Sequence, residues 1–269
     1  MKFKSFALST TIAIASLQTV EADTKPLKAL LLIGGCCHDY EVQKDLLEKG
    51  IEQRANVEVD VIYGDNGTTK PNLPIYGNAD YANGYDVVIH DECAADISDD
   101  SVVKAILAPH VKGIPGVNLH CAMHSYRIGD FSKPVEEKGT ATSQWFEYLG
   151  LQSTGHGPQK PIEMSLVVKD HPITKNFENT TSGDEELYNN LKIFDTAVPL
   201  VKGVQNGQEA VVVWTNDYRG TRVFNTSIGH NNSTVSDGWY LDLVTRGLLW
   251  ATGKIDPNGE IAEGYAKPK

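Results

Sequence analysis

An apolar run at residues 113–119 ends on His120-Cys121-Ala122-Met123-His124, followed by Ser125-Tyr126-Arg127. Imidazole changes protonation near neutral pH, so a histidine at a strand end can exchange a proton with a bound substrate. In an open α/β sheet, ligands sit outside the carboxyl ends of the strands. Three other apolar runs also end in histidine: 27–33 leads to His38, 85–90 closes on His90, and 222–228 leads to His230. His38, His120 and His230 are therefore candidate acid/base residues, expected to converge on one cleft at the carboxyl edge of a sheet.

The same residues suit a second chemistry. His120 and His124 stand four apart, and on a helix they would share a face and could hold a divalent ion such as zinc or manganese. His38, His230 or a carboxylate from Asp184-Glu185-Glu186 would supply the third ligand, His38 or His230 being favoured. A bare HxxxH is common, which favours acid/base chemistry without a metal. Cys121, at a strand-to-helix turn beside a histidine, has the setting of an activated thiolate. Ala122 and Met123 stand where a tight nucleophile elbow prefers glycine, which favours a packed thiol instead. In Asp184-Glu185-Glu186-Leu187-Tyr188, Glu186 is a candidate catalytic carboxylate and Tyr188 an amphipathic ring that could face a sugar. Tyr40, Tyr126, His156 and Arg222 complete the substrate-binding candidates. His171, before Pro172-Ile173-Thr174, reads as a structural hydrogen-bonder.

Positioning these groups requires a sheet. Residues 27–33 form a continuous apolar run, as expected for a strand buried on both faces. Residues 41–54 read as a helix, 57–63 as a strand, 85–90 as a strand, and 114–119 as the strand that leads into His120. Ser98 is the expected N-cap of a helix carrying Val102, Val103, Ile106 and Leu107. This β-α-β-β-α-β order predicts parallel strands covered by helices. Further along, 143–149 reads as a short helix ending at Gly150. Residues 162–168, 198–201, 210–214 and 222–228 read as strands, the last two joined through a hairpin-like 216–220. A final helix over 237–252 stops at Gly253, and residues 256–269 form a polar tail expected to fray.

The chain has 269 residues and a net charge of −11, enough length for one sizeable core and the wrong sign for binding phosphate backbones or anionic membranes. Residues 1–22 show a basic start, an apolar stretch and small residues before a cleavage point, the pattern of a secretory signal. Its removal takes away Lys2, Lys4 and Glu21 and shifts the net charge from −11 to −12. No apolar run in the mature chain reaches the roughly 20 residues of a membrane span. The four cysteines, Cys36, Cys37, Cys93 and Cys121, show no CxxC pair and no even spacing, so they are expected to be buried thiols, not a disulfide framework.

Together these segments resemble the ThuA-like family, named for a trehalose-utilisation protein, within the class I glutamine-amidotransferase-like superfamily. The matching stretches are Leu31-Leu32-Ile33-Gly34-Gly35 with His38, Gly116-Val117-Asn118-Leu119-His120, and Trp145 to Gly150 followed by His156. His171-Pro172-Ile173-Thr174, Glu185-Glu186-Leu187-Tyr188, Val213-Trp214 to Gly229-His230, and Gly247-Leu248-Leu249-Trp250-Ala251 continue the match. The resemblance implies an α/β fold, a flavodoxin-like three-layer sandwich with a mostly parallel central sheet, over 23–255. It also implies a link to the catabolism of sugars, including oxidised 3-keto-glycosides. Glutamine amidotransferases carry a cysteine and a late histidine at roughly the places of Cys121 and His230. Here the surrounding glycines are missing, and Asn231-Asn232 follows His230.

The expectation is an exported, periplasmic or secreted enzyme acting on a small carbohydrate, with no nucleic-acid partner and with a homo-oligomer compatible with the sequence. Two other classes stay open: a sugar-binding protein without turnover, and a Cys121–His230 amidase or hydrolase.

Overall fold

The computed structural model describes residues 24–135 and 137–267. The expected export signal at 1–22 lies outside the described residues. In chain order the elements are β1 (Leu27–Gly35), α1 (Tyr40–Glu52), β2 (Val57–Gly64), β3 (Val87–Cys93), α2 (Asp100–Val111) and β4 (Gly116–Leu119). After a 3₁₀ turn at His120–His124 come α3 (Gln144–Leu149), β5 (Leu151–Gln152), β6 (Lys160–Leu166), β7 (Thr180–Glu185) and β8 (Lys192–Ile193). The chain closes with β9 (Ala197–Gln205), β10 (Gln208–Tyr218), β11 (Thr221–Thr226), α4 (Asn232–Val235) and α5 (Gly238–Ala251).

Among the described residues, nine strands form one sheet in the order β2-β1-β3-β4-β11-β10-β9-β6-β7. The pairings from β2 to β11 are parallel, with Leu31 aligned to both Val61 and Ile89. From β11 outward they are antiparallel, so a wing of four strands extends the parallel half that the sequence predicts. The unbroken apolar character of β1 follows from burial on both faces. Leu31 and Ile33 pack in one core cluster with Leu47 of α1 and Val244 of α5. Leu30 and Leu32 pack in the other with Ile106 of α2 and Trp145 of α3. This is the flavodoxin-like three-layer sandwich.

Local chemistry sets the boundaries. Asp99, not the expected Ser98, caps α2: its carboxylate accepts the amide hydrogens of Ser101 and Val102 at 2.9 and 3.2 Å. Asp237 caps α5 by accepting from Trp239 N–H. The tail does not fray as expected. Asn56 N–H donates to Tyr265 O at 2.9 Å, and Ala55 bridges Ala266, so residues up to 267 dock beside β2. Among the described residues, no helix is long and apolar enough to cross a membrane.

The carboxyl ends of β1, β4 and β11 all open toward one edge, and the loops that follow carry His38, His120 and His230. His90 does not join them. Strand β3 continues to Cys93, so His90 lies inside the strand on the α2/α3 side. There it bonds Glu92 Oε1 through Nδ1 at 2.8 Å and His110 through Nε2 at 3.1 Å.

Candidate active site at the carboxyl edge

Four side chains meet at this edge: the ligating atoms of His38, His120, Glu186 and His230 all lie within 4.8 Å of one another. His38 follows the Gly34-Gly35 turn, and its ring centroid is 4.7 Å from those of both His120 and His230. His120 opens the 3₁₀ turn with a φ of +34°, a conformation that L-residues adopt only under constraint and that clusters at functional sites. Gly229, just before His230, has φ +131°, and a Cβ there would meet Tyr240 Oη at 2.5 Å. Only glycine lets the chain pass under Tyr240 and present the next imidazole.

The histidine tautomers follow from their partners. His120 Nδ1 is 2.7 Å from Ser227 O. A carbonyl only accepts, so Nδ1 carries the hydrogen and the Nε2 lone pair faces the cluster. Burial, first of all, pulls the His120 pKa down to about 4. His38 is pushed down to about 2 by burial and then by the neighbouring His120 and His230. Both are neutral near pH 7. Neither ring nitrogen of His38 has a hydrogen-bond partner although both are buried, an arrangement that costs free energy unless something else satisfies them.

Glu186 Oε2 faces three imidazoles: His156 Nδ1 and His230 Nδ1 at 3.5 Å and His120 Nε2 at 3.7 Å. Burial alone would raise its pKa, but the contact with His230 and the charges of His120, His230 and His156 hold it at about 2. The same contact with Glu186 raises His230. Glu185, its chain neighbour, is buried and clamps the loop after β11. Its Oε2 accepts from Gly229 N–H at 3.0 Å and His230 N–H at 2.9 Å, and its Oε1 from Asn231 N–H at 3.2 Å. Gln43 Nε2 donates to His230 O at 2.9 Å, tying this loop to α1.

A cavity of about 510 Å³, lined by His38, Asp39, His230, Asn231 and Asn232 among others, leads to the cluster. A larger cavity of about 830 Å³ borders Trp239 and Arg246. It holds no histidine, and its Arg54–Asp242 ion pair, 2.7 Å apart, already satisfies both charges.

Other expected site residues fall elsewhere. His124 is outside the cluster because His120–His124 is a 3₁₀ turn. At three residues per turn, positions four apart diverge by a third of a revolution. His124 instead donates to or accepts from Ser153 Oγ at 2.8 Å and stacks on Tyr188 at 4.2 Å. Tyr188 is buried with its ring stacked on His124, so it offers its hydroxyl, 3.4 Å from His120 Nε2, and not an open ring face. His156 stands at the exposed rim. Tyr40 is buried beside His38 with its hydroxyl unpartnered. Tyr126 is buried in the α2/α3 cluster, its hydroxyl donating to Glu92 Oε1 at 2.6 Å, so it cannot reach a substrate. Arg222 is the second residue of β11, at the opposite edge of the sheet. It donates to Trp250 O and stacks on the Trp250 ring. His171 is structural, its Nδ1 accepting from Ile173 N–H.

The cysteines are not free thiols. Cys36 bonds Cys37 and Cys93 bonds Cys121. Adjacent parallel strands bring Cys93 and Cys121 to the edge where the neighbours Cys36 and Cys37 lie, with Gly35 aligned to Cys93, a proximity of the two pairs that linear spacing does not reveal. A disulfide sulfur is neither the packed thiol expected at Cys121 nor the thiolate nucleophile weighed against it, so neither reading holds in this form.

The sequence profile described as ThuA, trehalose utilisation, matches residues 30–251. No curated protein matches the chain. Among solved structures, one described as a ThuA-like protein from Parabacteroides merdae ATCC 43184 superposes with a TM-score of 0.64 at 20% identity, covering 91% of this chain and 98% of that one. The carbohydrate deacetylase Agd3 superposes at 0.52 with 13% identity, over 85% of this chain and 33% of its own. The β-galactosidase of Rahnella sp. R3 does so at 0.50 with 12% identity, over 83% and 31%. At these identities the likeness is one of fold, and the chain matches about a third of either enzyme. With the profile spanning most of its length, the chain belongs to the ThuA trehalose-utilisation family.

Proposed function

We propose that the chain is an exported enzyme of carbohydrate catabolism that transforms a sugar or keto-sugar at His38, His120, His230 and Glu186, with a divalent ion as cofactor. One observation carries the proposal: three imidazoles and an ionised carboxylate converge within 4.8 Å, and His38 leaves both of its buried ring nitrogens unpartnered. Neutral imidazole and carboxylate are the donors that zinc and manganese accept, so these four residues fit the ion. They favour it over the metal-free version. When bound, the ion would supply Lewis acidity toward a carbonyl or hydroxyl oxygen.

The remaining work falls to the chain's own groups. Asp39, Asn231 and Asn232 at the cavity mouth offer hydrogen bonds to sugar hydroxyls. His156, half exposed with its Nδ1 3.5 Å from Glu186 Oε2, is placed to carry a proton between substrate and solvent. The family supports a carbohydrate substrate, and the keto-sugar assignment extends the resemblance of the motifs.

The test is a metal analysis of the purified protein, followed by turnover of keto-disaccharides before and after exhaustive dialysis against EDTA. Turnover lost on dialysis and restored by one specific ion supports the proposal. Full turnover with no metal found by mass spectrometry overturns the metal part. Sugar binding that survives His120→Gln with no turnover in the parent protein identifies a binding protein instead.

A further inference from the structure

Beside the histidine cluster lies a second group of reactive side chains: all four cysteines of the chain. Their segments end β1, β3 and β4, and the sulfurs form two layers. The Cys36–Cys37 pair is outermost, with Cys37 exposed and Cys36 half-buried. The Cys93–Cys121 pair is buried beneath it. The layers touch, with Cys36 Sγ 4.0 Å from Cys93 Sγ.

We propose that these cysteines form a thiol–disulfide relay, through which a small dithiol in solution reduces the buried pair without reaching it. The thiolate of the dithiol attacks the exposed Cys37 Sγ, forming a mixed disulfide and expelling the Cys36 thiolate. The second sulfur of the dithiol then attacks the mixed disulfide, releases the Cys37 thiolate and departs as a cyclic disulfide. The Cys36 thiolate attacks Cys93 Sγ, forming a Cys36–Cys93 disulfide and expelling the Cys121 thiolate. In sum, one dithiol loses two electrons and two protons. The protein keeps one disulfide and gains thiols at Cys37 and Cys121. Exchange of this kind depends on access to the attacked sulfur, and only the outer pair has access here. The relay delivers its thiols beside the site, because Cys37 precedes His38 and Cys121 follows His120.

The relay has a product that no direct reduction makes. The full chain is treated with one equivalent of dithiothreitol, quenched with N-ethylmaleimide in acidic guanidinium so that buried thiols are alkylated too, and mapped by non-reducing peptide mass spectrometry. The expected result is a Cys36–Cys93 linked peptide with alkylation at Cys37 and Cys121. In Cys37→Ser the exchange should proceed with no reductant, leaving Cys121 alkylated and Cys36 protected in most molecules. In the double variant Cys36→Ser/Cys37→Ser, Cys121 should label at least tenfold more slowly under dithiothreitol than in the parent. Alkylation confined to Cys36 and Cys37 in the parent protein overturns the relay. So does Cys121 labelling in the double variant at the parent rate with native circular dichroism, or a Cys37→Ser protein that alkylates at Cys36 and protects Cys121.

Discussion

Glu185 holds His230 by its backbone: the Glu185 carboxylate accepts the His230 amide hydrogen at 2.9 Å, together with those of Gly229 and Asn231. The residue next to it, Glu186, faces the side chain of the same histidine at 3.5 Å. Two adjacent carboxylates thus divide the tasks of fixing a loop and completing a site. Supporting partners of this kind typically change metal affinity by about 10–100-fold when altered. Glu185→Gln, which loses one acceptor oxygen, should weaken zinc or manganese binding by about that factor while the four clustered side chains remain. It should also cost about 1–3 kcal/mol in urea unfolding. Unchanged affinity in a metal titration would mean that Gln43 alone fixes the loop.

His38 and His124 should behave oppositely. His38→Gln removes a member of the cluster and should reduce bound metal well below one equivalent in a stoichiometry measurement. His124→Gln should leave stoichiometry intact, because His124 is engaged with Ser153 and Tyr188. Loss of metal in the His124 variant would restore the HxxxH reading.

His110 gives a pH dependence that does not involve the site. Burial, and then His90, hold its pKa at about 3, against about 6.5 in an unfolded chain. Between those values the unfolded state binds a proton that the native state does not, so stability falls as pH drops from 6.5 toward 3. The slope from one such group is about 1.4 kcal/mol per pH unit. In denaturant unfolding at pH 4.5 to 6, His110→Gln should flatten the dependence by about that amount. An unaltered slope would show that His110 takes up its proton in the folded protein.

Arg222→Ala should leave metal affinity and the KM for a sugar unchanged, since Arg222 lies against Trp250 at the far edge of the sheet. Its cost should be confined to stability, about 1 kcal/mol for a partly exposed cation over an aromatic ring. A raised KM would show that substrate reaches the amino ends of the strands.

Export predicts a mature amino terminus near Asp23. Sequencing of protein purified from its native host should find it there, and an intact Met1 in a soluble cytoplasmic fraction would refute it.

The parallel half of the fold was legible because its strands are short apolar runs whose ends are marked by glycine and histidine. Leu27–Gly35 needed no tertiary information. Three of the four clustered side chains were visible as histidines after such runs, and Glu186 within its acidic stretch. His90 was misplaced because apolar periodicity stops at His90, whereas the strand continues through Asp91 and Glu92, whose polar groups are buried. His124 was misplaced because sequence spacing does not separate a 3₁₀ turn from an α-helix. The Cys93–Cys121 disulfide and the grip of Glu185 on residues 229–231 are contacts between distant segments, for which the local sequence carries no signal; Cys36 and Cys37 are chain neighbours whose pairing the expectation of buried thiols passed over. The antiparallel wing was read only in part, since Thr180–Glu185 lacks apolar alternation.

The four clustered residues come from segments that run from His38 near the start of the fold to His230 near its end. A chain made from its amino end therefore holds an incomplete set until its last quarter has folded. An ion that binds only the assembled set adds to stability as RT ln(1 + [L]/Kd), about 2.7 kcal/mol at a hundredfold excess over Kd. For a protein that crosses a membrane before folding, the ion would then be chosen by the compartment in which folding finishes, not by the one in which the chain is made.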